Sequence, residues 1–270
     1  PEMSRGLGDV YKRQIYYLVI GRFFTSFVLG QYTRAKQFNT IFSSNLTTVV
    51  QRVSYPVLSS IQNEPERLCG AYRKVIKSTM LVTFACMLGL AAMAKSLIII
   101  LIGEKWLPAV GYLQIICFSG MLYPLHAINL NILKVKGRSD LFLKLEIIKK
   151  ILAIGPIALG VFLGIECMLW GSVLNSFVAY FLNSYYSADL INYPTVKQIK
   201  DILPTFCVSI AVAAAMWGLS FFRLSVYLLL PLQLLLGVSL AYLVYERTAL
   251  PEYLELRQVT LSLLKRKSYT

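Results

Sequence analysis

The feature that most limits what this chain can fold into is a succession of mostly apolar runs, each about as long as a bilayer is thick. "STMLVTFACMLGLAAMAKSLIIILI" shows the type, with one lysine in its whole length. A hydrocarbon core of roughly 30 Å takes about 20 helical residues. Runs that meet this length lie near 15–31, 38–60, 76–102, 109–133, 141–163, 166–187, 202–221 and 224–245. The first two are the most interrupted by polar residues. The runs are continuous and do not alternate in polarity, so they read as helices and not as barrel strands. The chain is 57% hydrophobic and only 15% charged, whereas soluble domains carry roughly a quarter charged residues. The expected fold is an all-α polytopic membrane protein of about eight transmembrane helices.

Eight crossings alternate sides, and the basic residues divide unevenly between the two sets of loops. One set holds 17 lysines and arginines, the other 5, namely Arg34, Lys36, Lys95, Lys105 and Arg223. The richer side reads as cytoplasmic, with both ends of the chain on it. The net charge of +14 is therefore accounted for by membrane sidedness. No aromatic-rich basic groove points to nucleic acid. Cys69, Cys86, Cys117, Cys167 and Cys207 are dispersed and there is one histidine, so no disulfide framework, metal site or cofactor is expected.

Polar side chains inside a bilayer are costly, so their placement is informative. In the first run Arg22, Thr25 and Ser26 share a helix face. In the second, Asn45, Thr48, Arg52 and Tyr55 form a stripe, flanked by Ser44, Thr47 and Gln51. The fourth run carries Ser119, Tyr123, His126 and Asn129 on one side, and the sixth Ser172, Asn175, Ser176 and Asn183. Two readings stand for the fourth and sixth runs: hydrogen bonds between helices, or the wall of a wet cavity. For the first two runs a cavity is the expectation, with Arg22 and Arg52 paired as fork-shaped donors for a phosphate or pyrophosphate. Prolines in Tyr123-Pro124 and Gly155-Pro156 are expected to bend their spans, and Gly160 with Gly164 to form a close-packing pair. No nucleophile elbow, phosphate-cradling glycine loop or acid pair within one span supports an enzyme.

Several stretches carry a resemblance. "IGRFFTSFVLGQYTRAKQF", "VVQRVSYPVLSSIQNEPERLCGAYRKVI", "LIGEKWLPAVGYLQII" and "NLNILKVKGRSDLFLKLEIIKK" follow in order the pattern of the Wzx-type polysaccharide or lipopolysaccharide biosynthesis flippases, of the multidrug/oligosaccharidyl-lipid/polysaccharide flippase superfamily. That resemblance implies two lobes of six helices around a central cavity, with this chain as the second lobe plus two extra helices. It divides the chain into a C-terminal lobe at 15–200, two additional helices at 201–246 and a cytoplasmic tail at 247–270. Residues 1–14, with "SRGLGDVYKRQ", resemble a translated sequencing-adapter stretch instead of native sequence. The implied activity is flipping of a polyprenyl-pyrophosphate-linked oligosaccharide across the bacterial cytoplasmic membrane, with the isolated lobe inactive. Arg22 and Arg52 would then bind pyrophosphate, and Asn45, Thr48, Gln51, Tyr123, His126 and Asn129 would meet sugar or water. Implied partners are the lipid-linked oligosaccharide, membrane lipids, an N-terminal lobe, and polysaccharide polymerases and glycosyltransferases. A cation-coupled drug exporter of the same superfamily and a membrane-embedded polysaccharide polymerase or ligase are the alternatives.

Overall fold

The computed structural model describes residues 15–222, 224–248 and 253. All regular structure among them is helical. A short helix, α1, covers 15–23. It is followed by α2 (Ser26–Ser60), α3 (Pro65–Ala92), α4 (Ala94–Ile102), a 3₁₀ turn (Glu104–Trp106), α5 (Ala109–Gly120) and α6 (Tyr123–Val135). Then come α7 (Ser139–Leu152), α8 (Ile154–Leu163), α9 (Ile165–Ile191), α10 (Thr195–Gly218), a second 3₁₀ turn (Leu219–Phe221) and α11 (Val226–Thr248). The stretch 1–14, the tail beyond 248 apart from Tyr253, and Arg223 lie outside the described residues.

Five helical segments among the described residues are long and apolar enough to cross a membrane: Pro65–Ala92, Ala109–Val135, Ile165–Ile191, Thr195–Phe221 and Val226–Arg247. They correspond to the third, fourth, sixth, seventh and eighth expected runs. The chain is a multi-pass membrane protein, and its outer surface agrees: Phe162, Leu174, Leu235 and Val238 are all exposed large hydrophobics. The other three runs are cut differently from the sequence expectation. The first two were expected to part at a loop near 32–37. Instead α2 runs unbroken through that stretch, because no glycine or proline lies between Gly30 and Pro56 and because Tyr32 and Ala35 are buried on its inner face. The break falls earlier, at Phe24–Thr25, where extended Thr25 caps α2 by accepting a hydrogen bond from the Val28 amide at 3.4 Å. The fifth run divides at Ala153 into α7 and α8.

Proline sets two of the helix breaks. α5 ends at Gly120, four residues before Pro124, and α7 ends at Leu152, four before Pro156. A proline removes the amide that would bond the carbonyl four residues back and crowds that carbonyl, so the helix stops there. By the same route Gly160 and Gly164 are not a packing pair. Gly160 faces Met168, whose side-chain atoms would lie 2.8 Å from an added Cβ, whereas Gly164 has φ +98° and makes the turn into α9. A Gly160→Leu variant is expected to destabilise the α8–α9 hairpin by about 1–3 kcal/mol through overpacking, seen as a lower Tm of the purified protein. Gly155→Ala, with open space around the new methyl, is the control and should leave Tm unchanged.

The interior is two apolar cores stacked along the helix axes. One gathers Tyr16, Ile20, Tyr32, Ala35, Leu90, Ile98, Leu113, Ile116, Ile165 and Met168. The other gathers Leu58, Tyr72, Ile76, Met80, Leu125, Ile128, Ile132, Tyr180 and Tyr193. Between them lies a polar layer. The Asn39 amide donates to the Ile116 carbonyl at 3.3 Å and the Ser43 hydroxyl to the Asn39 carbonyl at 2.9 Å. Ser119 and Ser176 are buried beside them.

Candidate functional site

α2 presents two unlike faces. Its inner face buries Gln31, Tyr32, Ala35, Asn39, Ser43, Ser54 and Leu58. Its outer face carries a line of polar residues at helical spacing, with Arg34, Gln37, Asn45, Thr48 and Arg52 exposed. Along the upper part of that line a groove of ≈ 530 Å³ opens, bounded by Tyr17 of α1 and by Lys36, Gln37, Thr40, Ile41, Ser44 and Asn45 of α2. The wall holds an ammonium, two amides, two hydroxyls, a phenol ring and the Ile41 side chain, and no carboxylate.

Lys36 sits at the centre of this arrangement. It is half-buried; its Nζ donates to the Tyr123 hydroxyl at 3.3 Å and lies 5.4 Å from the centre of that ring. Tyr123 lies near the midpoint of Ala109–Val135, so the cation stands near mid-depth of a membrane-crossing segment. No carboxylate among the described residues forms an ion pair with it. The sequence reading missed Lys36 by assigning it, with Arg34, to a loop. Its signal is present nonetheless: Lys36, Thr40 and Ser44 continue the three-and-four spacing of the stripe at Asn45 and Thr48.

The residues expected to form the site fall into three groups. Asn45, Thr48, Gln51 and Arg52 share the outer side of α2, Gln51 half-buried and the others exposed, and Tyr123 of α6 bonds Lys36 from behind the groove wall. Arg22 is exposed at the other end, three residues before the Thr25 cap. From Ser26 to Arg52 the helix rises about 39 Å, so the expected fork of paired guanidiniums does not form. His126 and Asn129 face inward. Both ring nitrogens of His126 are engaged, by Ser176 Oγ at 3.1 Å and Asn183 Nδ2 at 3.3 Å. Asn129 is 0% exposed; its Oδ1 accepts from Tyr72, from Ser187 Oγ at 2.9 Å and from Gln198 Nε2 at 3.3 Å. Its polar capacity is spent on α3, α9 and α10, so the expectation that it meets substrate gives way to a role in packing.

At the basic end of the bundle, α3 and α10 are joined by charge. Arg73 Nη2 donates to Asp201 Oδ1 at 2.6 Å, its Nε bonds the other oxygen, and the Tyr193 hydroxyl adds a bond to that oxygen at 2.6 Å. Burial and the neighbouring carboxylate push the Tyr193 phenol well above its ordinary range. In the α6–α7 turn, Arg138 grips Asp140 with two bonds of 3.0 and 2.9 Å and holds its carboxyl down to about 2. At the opposite end Trp106 lies under the Arg34 guanidinium at 5.1 Å, and the Gln31 amide donates to the Lys105 carbonyl at 3.1 Å.

Comparison with known proteins agrees with the sequence motifs. Residues 2–111 match the family described as polysaccharide biosynthesis protein. The lipopolysaccharide biosynthesis protein WzxC of Escherichia coli (strain K12) is 27% identical over 215 residues, 74% of this chain and 43% of that protein. The teichuronic acid biosynthesis protein TuaB of Bacillus subtilis (strain 168) is 33% identical over 124 residues, 46% of this chain and 26% of that protein. The chain thus spans less than half the length of these curated relatives. Among solved structures, the lipid II flippase MurJ in its inward closed conformation superimposes with a TM-score of 0.64 at 16% identity, over 82% of this chain and 48% of that one. At that identity the likeness shows the fold. Through residues 2–111 the chain is similar in sequence to the polysaccharide biosynthesis proteins, and over most of its length its helical fold is like that of the solved MurJ structure.

Proposed function

We propose that this chain forms one lobe of a two-lobed flippase that carries a polyprenyl-pyrophosphate-linked oligosaccharide out across the bacterial cytoplasmic membrane. A second lobe, supplied by the rest of the intact protein, would close over the polar line of α2. The observation that carries this reading is the α2 groove. It places Lys36, Gln37, Thr40, Ser44 and Asn45 on one wall near mid-depth, in a molecule whose other outward surfaces are largely apolar. A sugar or a phosphate in bare hydrocarbon costs several kcal/mol for each unpaired polar group, and a hydrated wall of amides, hydroxyls and one cation removes most of that barrier. Tyr17 offers a flat ring to the apolar face of a sugar. Thr48 and Arg52 extend the same line toward the end of α2, with Arg52 about 24 Å beyond Lys36 along the axis. The richer basic side, which holds Arg73, Lys74, Lys134, Lys136 and Lys200, would be cytoplasmic. A cation-coupled exporter is less suited to this wall, which offers a positive charge where a cation site needs carboxylates.

The test uses the intact protein. Replacing Lys36 and Arg52 together by alanine, at unchanged protein level, is expected to lower outward movement of the lipid-linked sugar at least about tenfold, because a bond to a charged group contributes about 1.5–3 kcal/mol. Asn45→Leu should lower it less, and Arg22→Ala, which lies away from the groove, hardly at all. Undiminished export by the Lys36/Arg52 double variant would remove the groove from the transport path.

A further inference from the structure

The two apolar cores divide one element between them. Leu113, Ile116 and Cys117 of α5 belong to the first core, and Leu125, Ile128 and Ile132 of α6 to the second. α2, α3 and α9 pass the polar layer between the cores as continuous helices, whereas α5–α6 breaks there, at Met121–Leu122. α5 is held to α2 by the Asn39–Ile116 hydrogen bond, α6 to α2 by Asn131–Ser54 at 3.3 Å and to α9 and α10 through His126 and Asn129, and Ser176 of α9 bonds both the Ser119 carbonyl of α5 and His126 of α6. Pro124 leaves the Gly120 carbonyl without its helical amide, so the joint already lacks one rung. Lys36 spans this joint, rooted on α2 and hydrogen-bonded to Tyr123, the first residue of α6. The same ammonium faces the groove.

We propose that Lys36 and Tyr123 form a ligand-sensitive latch across the α5–α6 joint, opened when an anionic group in the groove takes the Lys36 ammonium. The inference rests on the groove being the substrate path and adds how occupancy there is communicated to the bundle. A phenol hydroxyl and a ring face are weak partners for an ammonium compared with a phosphate or carboxylate oxygen, which makes charge-assisted bonds roughly twice as strong. An arriving anion therefore wins Lys36. Tyr123 then loses its bond to Lys36, the tie between α6 and α2 that lies nearest the joint. Movement of α6 would reach α9 and α10 through the bonds of His126 and Asn129. Both phosphate and carboxylate groups have this chemistry, so the trigger is either the pyrophosphate of the carrier lipid or an acidic sugar of the glycan.

The test is hydrogen exchange of the 117–126 backbone in the intact protein in lipid nanodiscs, with binding measured in parallel by calorimetry. One arm adds farnesyl pyrophosphate and the other a galacturonate trisaccharide. In the parent protein, the probe that binds is expected to speed exchange across Met121–Leu122 about three- to tenfold, the ratio corresponding to a lost hydrogen bond of this kind. Tyr123→Phe should show that faster exchange without any probe and gain nothing further when probe is added, while still binding it. Binding of a probe with unchanged exchange at the joint overturns the latch and leaves the groove standing. Failure of both probes to bind overturns the groove itself. The arm that produces the faster exchange names the trigger.

Discussion

A Gly120→Ala variant should unfold more readily than the parent by about 1–3 kcal/mol, the usual cost of adding a methyl to a filled core. Gly120 closes α5 at the polar layer. A Cβ there would fall 2.6 Å from the Met87 methyl and nearer still to the Asn39 amide. Met87 is flexible and can swing aside. Asn39 cannot, because its amide nitrogen holds the Ile116 carbonyl and its oxygens accept from Ser43. The alanine therefore either pushes α5 away from α2 or strips a buried amide of its partner. A second change identifies which. Asn39→Ala in the Gly120→Ala background should recover part of the loss, since the two sites are in contact and their effects are not additive. Equal denaturation midpoints for parent and Gly120→Ala would show that the helices have room to separate there.

Asn129→Leu is the second large effect, expected at about 2–3 kcal/mol. The side chains are similar in size, so the loss is one of hydrogen bonds. The Tyr72 hydroxyl, Ser187 Oγ and Gln198 all lose their bonds to Asn129 inside a wholly buried cluster. A single bond between helices in a membrane contributes roughly 0.6 kcal/mol on average, so this figure requires that the bonds fail together, as a shared acceptor dictates. The expected readout is a lower melting temperature with export per folded molecule unchanged. That outcome would set Asn129 apart from Asn45, whose exposed amide should affect export and not stability. A loss of export with no loss of stability would return Asn129 to the transport path.

Much of this architecture was legible from hydropathy because a bilayer imposes its own ruler. Pro65–Ala92, Ile165–Ile191 and Val226–Arg247 are apolar over a full crossing, and nothing else in their sequence competes with that signal. The misread stretch, 32–37, is instructive. Arg34, Lys36 and Gln37 look like a loop to a scale that scores each residue for lipid. A helix tolerates them when one side faces a wet groove and the other, with Tyr32 and Ala35, is buried. Chain continuity was the better guide there, since neither a glycine nor a proline interrupts it. The polar residues of the fourth and sixth runs were visible as polar, but sequence gives no depth of burial within a bundle. For His126 the choice between a hydrogen bond within the bundle and a cavity wall therefore stayed open until its partners, Ser176 and Asn183, were known. The pairing of Arg22 with Arg52 failed for a simpler reason: Arg22 stands on α1 beside the start of α2, and Arg52 lies most of the length of α2 away from that start.

Thr195, Gln198 and Asp201 all lie in the first turns of α10, and each completes a bond begun elsewhere: with Ser184 at 2.9 Å, with Asn129, and with Arg73. The final hairpin is therefore a keystone and not an appendix. A gene product shortened to end before Pro194 would keep its other membrane crossings yet deprive Asn129, Arg73 and Ser184 of the partners that the missing helix supplies. Such a trimmed protein should be degraded in the cell and not accumulate as a smaller working bundle.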